Sequence, residues 1–166
     1  TSGIFILIEG TISVGDIIEA DDIVGKVTEI SLRTSKVLTR DDTVLIIPNH
    51  KFISDQVINW SDNKNETRFS VTVGVAYGSD VQLVKKCLLQ AAHEHSQVSN
   101  TPESNVRFTD FGDSSLDFEL FFWSEHVFRI GEIESDLRFS INDLFIKNNI
   151  TIPFPQRDVH MLTAQA

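Results

Sequence analysis

The sequence contains a single cysteine, Cys87, which excludes an internal disulfide and a thiolate metal cage. The residue itself fits a small core position on a helix. Basic side chains are few, 14 against 24 acidic ones for a net charge of −10. That balance opposes binding to a nucleic-acid backbone, so no nucleic-acid partner is expected. No apolar run approaches the roughly 20 residues that cross a bilayer as a helix, and no signal-peptide pattern is evident. A Gly-rich phosphate loop is also missing. Gly112-Asp113-Ser114-Ser115 lacks the lysine and the following helix of such a loop and reads as a hairpin turn.

Catalytic and metal constellations are missing too. His93-Glu94-His95 places two imidazoles two residues apart on a helix, where they point to different sides, and no second motif supplies further ligands. It reads as a solvated helix end. Trp123-Ser124-Glu125-His126 holds catalytic residue types, but it sits where a strand gives way to a loop into a helix, so Ser124 or Glu125 is expected to cap that helix. No catalytic residue, metal ligand or cofactor is expected, and the chain is not read as an enzyme.

What is present points to two small domains. Twelve phenylalanines in 166 residues supply the bulk of a well-packed core. The apolar run Gly3 to Ile8 stops abruptly at Glu9-Gly10 and reads as the severed end of something longer. From Asp16 to Ile47 the residues are β-branched and alternating, with breaks at Ala20-Asp21-Asp22, Gly25, Arg33-Thr34 and Arg40-Asp41-Asp42. Four or so short strands with hairpin turns at those breaks close most easily as a small barrel. Pro48-Asn49 ends the last strand, with Asn49 as a helix cap before a short helix over His50 to Ser54, and Val57 to Trp60 return to strand character. Polar Ser61 to Thr67 marks the domain boundary.

The second half reads as β-α-β-β-α-β, the ferredoxin-like split unit. Phe69, Val71, Val73 and Val75 alternate on a strand, and Ser79-Asp80-Val81-Gln82 offers a capping box for a helix carrying Val84, Leu88 and Ala91. Val106 and Phe108 lie on the next strand; Leu116, Phe118, Leu120 and Phe122 lie on another. Ile130, Ile133, Leu137, Ile141, Leu144 and Phe145 form one stripe of a long helix, ended by Asn148-Asn149 before a short extended Ile150-Thr151-Ile152. The fold class is α+β: a small Sm-like β-barrel domain, a ferredoxin-like domain and a short C-terminal strand. The tail beyond Pro153 is either a frayed end or a strand donated to a neighbour.

Four runs occur in a telling order: Gly10 to Asp16, Ile46-Ile47-Pro48-Asn49, Gly74 to Asp80, and Ile152-Pro153-Phe154-Pro155-Gln156. Together they resemble the cytoplasmic region of MscS-family small-conductance mechanosensitive channels over essentially the whole chain. The resemblance implies that residues 1–9 are the truncated end of a pore-forming helix, 10–60 a β domain, 61–67 a linker near side portals, 68–153 the α/β domain, and 154–166 a tail with an axial-barrel strand. It implies a homoheptameric vestibule through which ions and small solutes pass, anchored in the bacterial inner membrane by helices outside this sequence. Gly3, Pro48 and Asn49 become candidates for coupling to the pore, Asp62, Lys64, Glu66 and Arg68 for lining the portals, and Phe154, Pro155 and Gln156 for assembly. His50 departs from the small residue expected after Pro-Asn. Seven copies at −10 each would carry −70, which implies a mild cation preference at low ionic strength.

Two rival functions remain on the residues alone. A ferredoxin-like domain can serve as a small-ligand-binding regulatory module, which would more often be a dimer than a heptamer. RNA binding would need a basic surface and stacking aromatics on the central strands, a pattern that Val106-Arg107-Phe108-Thr109 does not match.

Overall fold

A computed structural model describes residues 10–61 and 66–164. The chain divides into two compact units, one holding residues up to 67 together with Ser124–Ile133, the other holding residues 68–123 and those from 134 onward.

In the first unit, β1 (Ile17–Ala20), β2 (Ile23–Ile30), β3 (Thr34–Thr39), β4 (Val44–Pro48) and β5 (Ile58–Asn59) form one sheet in the order β4-β3-β2-β1-β5. Every pairing is antiparallel. Asp21 and Asp22 both adopt positive φ, 51° and 63°, the conformation a two-residue hairpin demands and aspartate tolerates. Asp42, at φ 60°, serves the β3–β4 turn in the same way. Gly25 is not a break. It lies inside β2 opposite Ile18 and Thr39, and a Cβ there would stand 2.3 Å from Val37 Cγ1 and 2.9 Å from the Leu38 carbonyl oxygen. The glycine lets neighbouring strands approach, a demand that resembles a turn signal in sequence. Ile12, Ile18, Val27 and Val37 are the buried centre of this unit, with Leu45, Ile47 and Phe52 packed against them. The chain crosses from β4 to β5 through the four-residue helix α1 (Lys51–Ser54).

The second unit follows the order β6 (Thr67–Val75), α2 (Val81–Glu94), β7 (Asn105–Phe111), β8 (Leu116–Ser124) and α3 (Ile130–Lys147), with its strands arranged β6-β8-β7. The long central strand buries Leu116, Phe118, Leu120 and Phe122 on one face, the face to which α2 contributes Val84, Leu88 and Ala91 and α3 contributes Leu137, Ile141 and Phe145. Burial pushes the Cys87 thiol pKa up, offset in part by the charge of Lys86, so this cysteine is a core residue.

The start of α2 differs from a capping box. Asp80 is the N-cap, its carboxylate accepting from the Gln82 and Leu83 amides at 3.1 and 3.2 Å, while the Ser79 hydroxyl turns back to the Ala76 carbonyl. Aspartate also meets the positive end of the helix with a full charge. Asp80→Ala is expected to cost about 1 kcal/mol in denaturant unfolding, and Ser79→Ala less.

Asn149, at φ 56°, ends α3. The following Ile150–Ile152 occupies the last place of the split unit as extended chain, tied by the Ala76 amide donating to the Thr151 carbonyl at 2.8 Å. Pro153 and Pro155 have no amide hydrogen, so a ladder cannot run on through them. No strand is formed among the described tail residues.

Candidate functional site

Asn49 is fully buried and every polar group it carries has a partner. The Ser35 hydroxyl donates to Asn49 Oδ1 at 2.6 Å, and Asn49 Nδ2 donates to the Ser31 carbonyl at 2.6 Å. Its backbone amide donates to the Arg33 carbonyl at 2.8 Å, and its own carbonyl accepts from the Phe52 amide. The side chain therefore clasps the β2–β3 turn to the end of β4. It does not cap α1: His50 is the N-cap and makes no side-chain cap bond. A primary amide is donor and acceptor at once, and the turn offers a hydroxyl and a carbonyl that need both. Ser31 and Ser35, two residues to either side of Arg33 at the turn whose Thr34 pairs with Pro48, are the sequence signal that marks this node.

A second tie lies in the same unit. Arg40, leaving β3, donates from Nε to the Phe128 carbonyl at 3.0 Å and from Nη2 to the Val127 carbonyl at 3.1 Å. The guanidinium fork thus holds two successive carbonyls of the segment Ser124–Ile133. Nothing in the sequence pattern singles out Arg40 for this.

The other candidates are dispersed. Gly3, Asp62 and Lys64 lie outside the described residues. Glu66 is partly buried, and among the described residues its Oε2 has no hydrogen-bond donor. Arg68 is exposed on β6, its guanidinium 4.8 Å from the centre of the Phe121 ring. Phe154 is 84% exposed, and Gln156 donates its amide to the Ser114 hydroxyl at 3.0 Å and its side chain to the Phe154 carbonyl at 2.8 Å. Val159, Met161 and Leu162 also stand exposed.

The rejected catalytic motifs find structural uses. His95 is not solvated: its Nε2 lies 2.9 Å from Asp136 Oδ2 on α3, and its Nδ1 accepts from the Gln97 amide at 3.1 Å. The imidazole fastens the end of α2 to α3, a pairing across 41 positions that local pattern does not carry. Ser124 is buried at the end of β8 and accepts from the His126 amide, so it closes a local turn rather than capping α3. Among the described residues no group of three or more His, Cys, Asp or Glu could hold a metal ion, and no helix is long and apolar enough to cross a membrane. An apolar cavity of about 150 Å³ lies in the strand-rich unit, lined by Ile18, Val37, Leu45, Phe52 and Val57. This is below the 300–1,000 Å³ usual for a small-molecule pocket, about two- to sevenfold short.

The sequence profile of the beta-domain of mechanosensitive ion channels matches residues 1–62, and that of the C-terminal domain of the mechanosensitive ion channel MscS matches residues 69–152. The chain belongs to the MscS family. An MscS-family protein of Haemophilus influenzae is 40% identical over 158 residues, covering 95% of this chain and 14% of that protein. The mechanosensitive channel MscK of Escherichia coli is 38% identical over 160 residues, covering 96% of this chain and 14% of its own length. The chain therefore spans about one seventh of these two curated relatives. The crystal structure of Helicobacter pylori MscS in its closed state superposes with a TM-score of 0.84 at 29% identity, covering 98% of this chain and 64% of that one. The α+β architecture of a β domain followed by a ferredoxin-like domain is that of the matched family domains and is shared with the Helicobacter pylori structure.

Proposed function

We propose that this chain is the cytoplasmic vestibule of a tension-gated channel of a bacterial inner membrane that protects against osmotic shock. Its tasks there are oligomer assembly, filtering of ions and small solutes, and coupling to the pore. The observation that carries the assembly role is the tail: Phe154, Val159, Met161 and Leu162 are 75–96% exposed in the chain by itself. Removing them from water against neighbouring copies supplies a driving force, and a strand contributed by each copy closes a ring without free edges. In this reading Phe154, Pro155 and Gln156 lead the chain into that shared element. Glu66 and Arg68, with Asp62 and Lys64, line the portals.

For coupling, the saturated hydrogen bonding of Asn49 supports a fixed post rather than a free latch. A pore helix bearing on Pro48-Asn49 would push on the whole β2–β3–β4 corner, with Gly3 on the helix side of the contact. Light scattering on this 18.7 kDa chain tests the assembly role. A particle about seven times that mass, reduced to monomer by truncation after Pro155, is the expected result. A stable dimer indifferent to that truncation would overturn it and favour the ligand-binding regulatory module.

A further inference from the structure

The sheet of the second unit has one face covered by the apolar side chains described above and one that carries Arg68, Ser70, Asn105, Arg107, Glu119 and Phe121. The register of β7 on β8 sets Asn105 opposite Phe121 and Arg107 opposite Glu119. On the other side of β8, the Ser70 hydroxyl donates to Glu119 Oε2 at 2.7 Å. Phe121 is only 8% exposed although it lies on this second face, and two guanidiniums stand over it. Arg68 reaches it from β6 at 4.8 Å and Arg107 from β7 at 4.7 Å, each measured to the ring centre.

Two like charges thus converge on one ring in a chain that has only 14 basic side chains and a net charge of −10. Neither forms an ion pair among the described residues, although Glu119 faces Arg107 directly across the ladder. Both arginines are exposed, so their donor forks are open to solvent. The guanidinium carbons stand no more than 9.5 Å apart, the sum of their two distances to the ring centre. A guanidinium held over an aromatic ring has less freedom to lose when its fork takes up a carboxylate by two N–H bonds.

We infer that Arg68, Phe121 and Arg107 form a binding site for a small dicarboxylate, one carboxylate on each guanidinium. The flat ring is already covered, so it offers no stacking surface to an aromatic ligand. A monocarboxylate can engage one fork only. Glu119 shares this face, with its carboxylate engaged by the Ser70 hydroxyl.

The test is a titration of this chain with sodium succinate, followed through the arginine side-chain NMR resonances, with sodium acetate and sodium phosphate as comparators at constant ionic strength. Saturable shifts of the Arg68 and Arg107 Nε–H signals are expected, with succinate binding at least about fivefold tighter than acetate. Arg68→Gln and Arg107→Gln should each weaken succinate by roughly five- to tenfold, and Arg107→Lys, which keeps the charge and loses the fork, should fall between. Equal response to succinate and acetate, or binding unchanged in both glutamine variants, would overturn the proposal. So would phosphate binding tighter than succinate, which would assign the pair to a single compact oxyanion. Protection of both arginines without added ligand, growing with protein concentration, would also overturn it by giving the site to acidic groups of a second copy.

Discussion

Asn49→Ala should lower the stability of the strand-rich unit by about 2–3 kcal/mol, more than any exposed substitution in the same region. The alanine removes two side-chain hydrogen bonds at 2.6 Å each. It also leaves the Ser35 hydroxyl, at 1% exposure, with no route to water. The asymmetry matters: removing both partners at once spares the orphaned group, so Ser35→Ala in the Asn49→Ala background should cost little further, and the coupling in a double-mutant cycle should be on the order of 1 kcal/mol. The two tryptophans make the measurement clean, since Trp60 lies in this unit and Trp123 in the other. Urea unfolding followed by Trp60 fluorescence in a Trp123→Phe background reads the loss directly. A shift below about 0.5 kcal/mol would show that Asn49 is not the clasp its geometry describes.

Phe122→Ala should be costlier still, about 3–5 kcal/mol, and centred on the second unit. Phe122 is fully buried in the central strand, with the Phe69 ring 6.1 Å away in a tilted arrangement. Both its neighbours on that face of β8, Leu120 and Ser124, are fully buried as well. Deleting the ring leaves a cavity that a close-packed sheet fills poorly. Trp123 fluorescence in a Trp60→Phe background should report the destabilisation. An unfolding transition moved by less than about 1 kcal/mol would mean that the site collapses around the smaller side chain.

Much of this fold was legible because its signals are local. Alternation along Phe69–Val75 and Leu116–Phe122, and the 3.6-residue stripe from Ile130 to Phe145, each declare one element and one buried face. The four runs that resemble MscS-family channels carried the assignment further than any physical pattern, and the family match bears them out. What remained hidden depends on partners far away in sequence. Gly25 looked like punctuation because its reason, the approach of Val37 and Leu38, belongs to a neighbouring strand. Asn49 looked like a cap because Pro-Asn before a short helix is a cap signal, whereas its donor, the Ser35 hydroxyl, and its acceptor, the Ser31 carbonyl, lie 14 and 18 positions earlier. His95 looked solvated until Asp136 on another helix met it. Asp80 displaced Ser79 as cap by a single residue, the scale at which helix boundaries read from sequence are blurred.

The Arg40 tie bears on how this polypeptide is completed as it is made. Its carbonyl partners lie 87 and 88 positions further along, and the first unit is finished only by a segment ending at Ile133. At a synthesis rate of about 5–20 residues per second, the strands through β5 wait roughly 3–15 seconds for that segment to emerge. During the wait Arg40 lacks the two carbonyls that it holds in the finished unit. Completion of the first unit thus comes after most of the second has been synthesised. The segment that completes the first unit also begins α3, whose remaining residues belong to the second, so one stretch of chain is shared between the completion of both.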